Sequence, residues 1–231
     1  MAQQSRRERS ATAHLHSYAS GLTPLVAERI QIAFTGQTPG NLSKVYLVPA
    51  EGGSPEELVA DGQNEAQPGW PPDGNSLVFG GLPPALGTGV SSDLAIRLVD
   101  LRSRRVSTLA GSEGLYSPEW SPEGRYIAAI KEDKSVGFDL TTQRWVEVAE
   151  ADGGYLGWSH DGRYIYFRDK DAVYRARAQD RKVEQVASLK GIQQGIGTVG
   201  GNFGGLAPDD CPLILREASS EEIYALDWEA P

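Results

Sequence analysis

The feature that most constrains this chain is an internal repeat. Trp70-Pro71-Pro72-Asp73-Gly74, Trp120-Ser121-Pro122-Glu123-Gly124 and Trp158-Ser159-His160-Asp161-Gly162 share one pattern. Each leads into an apolar run: Leu77-Val78-Phe79, Ile127-Ala128-Ala129 and Ile165-Tyr166-Phe167. A weaker copy, Leu206-Ala207-Pro208-Asp209-Asp210, leads into Cys211-Pro212-Leu213-Ile214-Leu215. Measured from Trp70, Trp120 and Trp158 to Leu206, the intervals are 50, 38 and 48 residues. A unit recurring at this period cannot bury its own apolar face alone and must stack on its neighbours.

The motif reads as structural. An aromatic residue ends one strand, and Asp-Gly or Glu-Gly then makes a tight turn with glycine free to take positive φ. The next residues alternate or run apolar, as a half-buried strand requires. Two more strand-like runs follow each motif: 94–101 and 106–110, then 135–140 and 145–149, then 172–176 and 183–187. Upstream, residues 31–35, 44–49 and 57–60 keep the same phase without a clear tryptophan motif before them. Downstream, 212–216 and 222–228 read as the second and third strands of a last unit. Four antiparallel strands per unit is the make-up of a propeller blade. The sequence therefore predicts an all-β fold, a β-propeller of four-stranded antiparallel blades. It has about five blades and is incomplete: residues 22–29 are the candidate missing strand of the first blade, and the last blade lacks an outer one. The domain reading is a disordered or non-homologous leader over 1–21 and a propeller over 22–231, with blades at 22–65, 66–115, 116–154, 155–199 and 200–231.

The repeat residues singled out are Trp70, Asp73, Gly74, Trp120, Glu123, Gly124, Trp158, Asp161, Gly162, Pro208 and Asp209. Trp70, Trp120, Trp158 and Trp228 are expected to pack between blades, whereas Trp145 lies off the motif and is expected to be more exposed. The Trp-Ser-Pro-(Asp/Glu)-Gly-Arg-Tyr-Ile pattern resembles the TolB-like, WD-repeat-like (WD40-like) β-propeller family over roughly 29–231. The tail, residues 204–216 and 222–228, is similar to propellers that follow winged-helix DNA-binding domains or protein kinase domains in certain bacterial proteins. That resemblance implies a non-enzymatic sensor or scaffold module for protein or ligand binding, in a bacterial envelope or regulatory system. The alternative it implies is a truncated accessory propeller of a winged-helix regulator or kinase. It also implies a periplasmic location if the chain is part of a longer parent.

Other chemistries find little support. The net charge of −9 repels phosphate backbones and anionic membrane surfaces, so no nucleic acid or membrane partner is expected. No stretch has the length of a membrane-spanning helix, and 1–21 lacks the apolar core of a signal peptide, so the chain as written reads as cytoplasmic. One cysteine, Cys211, gives neither a disulfide nor a cysteine-based zinc site. Gly195-Ile196-Gly197-Thr198-Val199-Gly200 spells G-x-G-x-x-G, but Gly201, Asn202, Gly204 and Gly205 follow where a dinucleotide site needs a helix. Asp161, Asp209 and Asp210 offer too few oxygens for a calcium loop and read as turn carboxylates. His14-x-His16 has no third ligand in view, and His160 stands in a turn where other copies have proline. Gly111-Ser112-Glu113-Gly114 and Gly53-Ser54-Pro55 fail the G-x-S-x-G spacing of a hydrolase nucleophile. A small propeller hydrolase or lyase needs several His or acidic side chains converging on the axis, and two of the three histidines are in the leader. No catalytic, cofactor-binding or metal residue is assigned, and no cofactor. The expected partner is a protein or peptide, with self-association through open blade edges as a further expectation. The Gly81–Ser92 insert and the rim turns are the first places to look for binding.

Overall fold

The computed structural model describes residues 18–19, 31–38, 41–81, 94–132, 134–150, 155–169, 171–194 and 204–218. Every regular element among them is a strand. Blade 1 is β1 (Tyr18–Ala19), β2 (Gln31–Gly36), β3 (Lys44–Pro49) and β4 (Glu56–Glu57). Blade 2 is β5 (Ala66–Gly69), β6 (Ser76–Gly80), β7 (Arg97–Asp100) and β8 (Val106–Thr108). Blade 3 is β9 (Tyr116–Trp120), β10 (Tyr126–Lys131), β11 (Lys134–Asp139) and β12 (Arg144–Glu150). Blade 4 is β13 (Tyr155–Trp158), β14 (Tyr164–Asp169), β15 (Ala172–Arg177) and β16 (Val183–Ser188). The last sheet holds β17 (Gly204–Leu206) and β18 (Pro212–Ile214). Each sheet is antiparallel with its strands in chain order, so the fold is all-β and built of four-stranded propeller blades, the last incomplete among the described residues.

Blade 1 departs from the sequence reading at its inner edge. Its first strand falls at Tyr18–Ala19, inside the segment read as a leader, and pairs Tyr18 with Thr35 and Ala19 with Phe34. Two residues carry no alternating pattern, which is why the sequence did not show them. Residues 22–29 lie outside the described residues.

The blades stack through apolar faces. Ala33, Val45, Leu47 and Leu58 of blade 1 form one buried cluster with Leu77, Phe79 and Val99 of blade 2. Val78, Ile96 and Leu109 of blade 2 form another with Leu115, Ile127, Ala129, Val136 and Phe138. Trp70 packs on the first cluster and Trp120 on the second. Trp158 is buried with Ala128 and Ile165, joining blades 3 and 4. Tyr166, Val173 and Leu189 of blade 4 meet Leu206 and Ile214 of the last sheet. Trp145 is half-buried rather than exposed. It tilts onto Phe138 at 5.0 Å, and its indole N–H donates to the Ala110 carbonyl of the preceding blade at 3.0 Å. An outer-strand aromatic at a blade boundary gains both an apolar wall and an acceptor, which its place off the motif did not reveal.

A candidate binding rim and the polar contacts behind it

Each tryptophan motif closes the turn from a blade's first strand to its second. Ser121 and Ser159 lock it. Their backbone N–H groups donate to the Tyr126 and Tyr164 carbonyls at 2.8 Å. Their hydroxyls accept the Tyr126 and Tyr164 N–H groups at 2.9 Å. The Gly124 and Gly162 N–H groups then return to the Ser121 and Ser159 carbonyls at 2.9 Å. The sequence shows serine after tryptophan in two of the three clear copies, Trp70 being followed by Pro71, and gives the serines no role of their own. Asp73, Asp161 and Asp209 each accept the N–H two residues on, from Asn75, Arg163 and Cys211 at 3.0, 3.0 and 3.2 Å. That is an Asx-turn, the reason aspartate suits the position. The Arg163 N–H, the Ser159 hydroxyl and the Arg163 guanidinium together hold the Asp161 carboxyl down at about 2. They outweigh its partial desolvation.

Neighbouring turns touch. Gly124 sits so close to Pro72 that a Cβ there would lie 2.9 Å from the proline ring. A Cβ on Gly162 would overlap the Glu123 carboxylate. The His160 N–H donates to Asp210 at 2.7 Å. The motif glycine thus serves twice, supplying positive φ (78° at Gly124, 68° at Gly162) and a notch for the turn before it. The turns of blades 2, 3, 4 and the last sheet form one row of contacts. Along it Pro72, Asp73, Pro122, Glu123, His160, Asp161, Pro208 and Asp209 are exposed. Gly74 and Gly124 are half-buried and Gly162 is buried. The row carries Asp73, Gly74, Glu123, Gly124, Asp161, Gly162, Pro208 and Asp209, whereas Trp70, Trp120 and Trp158 pack in the separate clusters between blades.

Behind the rim, the first strands of blades 2, 3 and 4 carry bulges. Gln67 and Ser117 take positive φ (54° and 53°). The Gln67 N–H donates to the Thr35 hydroxyl at 2.8 Å, and the Ser117 hydroxyl donates to the Gln67 side-chain oxygen at 2.5 Å. This chain of contacts crosses three blades. Between blades 3 and 4, Glu119 extends over Gly157, where its carboxylate oxygen would be 3.5 Å from a Cβ. Desolvation pushes the Glu119 carboxyl up to about 7, against the Trp158 backbone N–H it accepts.

Between blades 1 and 2 lies a buried charged group. Glu65 is fully buried, and one of its oxygens accepts the Val45 N–H at 3.3 Å. The other faces the Lys44 ammonium at 3.7 Å and the Arg97 guanidinium at 3.9 Å. Arg97 also pairs with Asp61 and lies over the Phe79 ring at 4.9 Å. Burial pushes the Glu65 carboxyl up to about 7, the Val45 N–H and Lys44 opposing it. Asp61 moves the other way: desolvation raises it, but the Gln63 N–H, Arg97 and Lys44 together hold it below its usual value.

The remaining sequence candidates are not brought together. His14, His16, Trp228, Gly195–Gly200 and residues 82–92 of the insert lie outside the described residues. Among the described residues no three His, Cys, Asp or Glu side chains gather in a way that fits a metal ion. Among them also, no helix is long and apolar enough to cross a membrane.

No family model matches the sequence, and no curated protein does. Solved structures match in fold. A putative TolB from Agrobacterium tumefaciens aligns at TM-score 0.55 and 21% identity, over 67% of this chain and 60% of its own. TolB from Acinetobacter baumannii aligns at TM-score 0.55 and 16% identity, over 83% of this chain and 52% of its own. A protein of unknown function from Bacteroides thetaiotaomicron aligns at TM-score 0.54 and 12% identity, over 83% of this chain and 51% of its own. The chain therefore spans between half and three fifths of the length of these structures.

Proposed function

From a TolB-like β-propeller fold, we propose a non-enzymatic binding module that takes a protein or peptide on the rim of motif turns. The observation that carries this reading is the contact row itself. Pro72 against Gly124 and the His160 N–H on Asp210 hold successive turns against one another, and Glu123 lies over Gly162 between them. A surface fixed before binding loses little conformational freedom when a partner docks. The side chains it presents are mainly acidic or rigid: Asp73, Glu123 and Asp209 beside Pro72, Pro122 and Pro208, with His160 and the paired Asp161 and Arg163 among them. Such a rim favours a partner segment carrying lysine or arginine. The ionisable groups most displaced by burial, Glu65 and Glu119, face other blades and act in packing. That supports the non-enzymatic reading.

Peptides selected from a random library on the immobilised protein test this. They should be enriched in lysine and arginine. Their binding should weaken by about tenfold in the Asp73→Asn, Glu123→Gln double variant, a loss on the order of 1.4 kcal/mol. An outer-strand change, Glu184→Gln, should leave it unaltered. Peptides that bind the rim variant as tightly as the parent protein would refute the rim as the site.

A further inference from the structure

Resting on the rim reading above, we propose that the docking segment carries acidic residues beside its lysine or arginine, and that the outer hairpins of blades 2, 3 and 4 hold them. These hairpins, residues 100–105, 139–144 and 177–182, turn the third strand of each blade into the fourth. Each is tied to the motif turn of its own blade. The Leu101 N–H donates to the Asn75 carbonyl at 3.0 Å, the Leu140 N–H to the Arg125 carbonyl at 3.0 Å and the Ala178 N–H to the Arg163 carbonyl at 2.9 Å. Asn75, Arg125 and Arg163 directly follow Gly74, Gly124 and Gly162. The hairpins therefore border the motif turns on the same face of the propeller, as a second and outer row.

The outer row has the opposite charge. One residue of each hairpin takes left-handed φ: Arg104 at 57°, Gln143 at 57° and Arg181 at 60°. The residue after it is a cation in all three blades, Arg105, Arg144 and Lys182. All six are exposed. Arg104 pairs with Glu56 at 3.0 Å. Among the described residues Arg105, Arg144, Arg181 and Lys182 form no ion pair. The acids of the same hairpins are engaged elsewhere. Asp100 accepts the Ser103 N–H at 2.7 Å, Asp139 pairs with Arg125 at 2.9 Å and Asp180 pairs with Arg177 at 3.2 Å. Blade 1 departs from the pattern, since its longer connection holds Glu51 and Glu56 and no cation. The basic row is confined to blades 2, 3 and 4.

A cation at the start of an outer strand is explained by edge protection alone. Arginine at a left-handed position is not, because glycine takes that conformation without strain. Arg104 and Arg181 keep a long cationic side chain there at a cost in backbone strain. A segment crossing from the motif turns to the hairpins passes from Asp73, Glu123 and Asp209 to Arg105, Arg144, Arg181 and Lys182. A uniformly basic segment is repelled by the outer row, and one of mixed charge is matched to both.

Peptides selected from a random library on the immobilised protein should carry aspartate or glutamate within a few residues of their lysine or arginine. One such peptide is then titrated with its acids intact and with them changed to amides. It is titrated against the parent protein and against Arg105→Gln, Arg144→Gln, Arg181→Gln, Lys182→Gln. Glutamine already stands at the left-handed position in blade 3, as Gln143, so the variant should melt like the parent. The amide peptide should bind the parent about tenfold less tightly than the acidic one, and the two should bind the variant equally. An equal tenfold loss on the variant would overturn the proposal, because the acids would then contact something other than these cations. Selected peptides rich in lysine and arginine with no excess of acids would overturn it and leave the rim reading standing. Acidic peptides without lysine or arginine would overturn both.

Discussion

The boundary between blades 1 and 2 and the boundary between blades 2 and 3 are built on one plan with opposite chemistry. In the first, the Leu58 N–H donates to the Val45 carbonyl, and in the second the Leu109 N–H donates to the Ile96 carbonyl, both at 2.8 Å. The return N–H of the third strand then needs an acceptor. Ile96 finds it in the Ser112 hydroxyl at 3.0 Å, and Val45 finds it in the Glu65 carboxylate. A serine finishes that task without charge, and Leu115 after it completes an apolar contact. A glutamate brings a buried charge, and Lys44 and Arg97 gather round it where the second boundary has Ala95 and Val136. The comparison shows that the backbone plan of a blade contact leaves the side chains free to be ionic or apolar, provided the whole group changes together.

Breaking the ionic group by halves should give the largest effect. Glu65→Ala would take the acceptor from the Val45 N–H and leave Lys44 and Arg97 at a desolvated gap with only the more exposed Asp61 and Glu57 to pair with, and should cost about 3 kcal/mol. Replacing the group together, Lys44→Met, Glu65→Leu and Arg97→Met with Asp61→Asn so that Asp61 is not left a carboxylate without its cations, should recover most of that loss or exceed the parent stability. It would make the first boundary resemble the second. Denaturant titration of the two variants checks this. A combined variant no more stable than Glu65→Ala would show that the ionic group is not interchangeable with apolar packing. On the apolar side, Leu115→Ala should cost about 2–4 kcal/mol through the cavity it opens.

Next in size is the effect of pH. Glu65 and Glu119 both have carboxyls raised to about 7 in the folded chain, Glu65 and Glu119 each from an ordinary 4.5. The folded state therefore holds protons that the unfolded state releases. The stability linked to them is complete below about pH 4.5 and is lost as pH rises through about 7, up to about 3 kcal/mol for Glu65. Asp61 has the opposite sign, but it titrates below this window. The melting temperature should fall between pH 5 and pH 8 in the parent chain, and less in Glu65→Gln, Glu119→Gln. An equal fall in both would place the titration elsewhere. The boundary between blades 2 and 3, with Ser112 and Leu115 in the corresponding places, contributes nothing to it.

Sequence carried the repeat well and this contrast hardly at all. The strands of blades 3 and 4 were legible to within a residue or two because motif, turn and apolar run recur in them in one order. Lys44, Glu65 and Arg97 come from three separate segments with no shared spacing, so only folding brings them together. The rim was half legible. The Asp-Gly turns stood out, but the contact of Pro72 with Gly124 joins residues about a full repeat apart. Blade 1 has no clear tryptophan motif before its strand at Gln31–Gly36, and β1, two residues at Tyr18–Ala19, is too short to show an alternating pattern.

The smallest expected effect tests the same contrast at the rim. Gly124 is approached by the Pro72 ring and Gly162 by the Glu123 carboxylate. Both glycines have positive φ, so alanine costs about 1–2 kcal/mol in backbone strain at either. The second contribution differs. The Pro72 ring is tied into its own turn and cannot swing away, whereas the Glu123 side chain can rotate. Gly124→Ala should therefore be the more damaging by about 1 kcal/mol. Backbone strain remains in both, so Glu123→Ala should relieve Gly162→Ala only slightly, the carboxylate being able to rotate aside already, and Pro72→Ala should relieve Gly124→Ala by more. Thermal melts of the two double-mutant cycles measure these couplings. A larger coupling at Glu123–Gly162 than at Pro72–Gly124 would mean that the carboxylate, not the proline, is the fixed partner in the row.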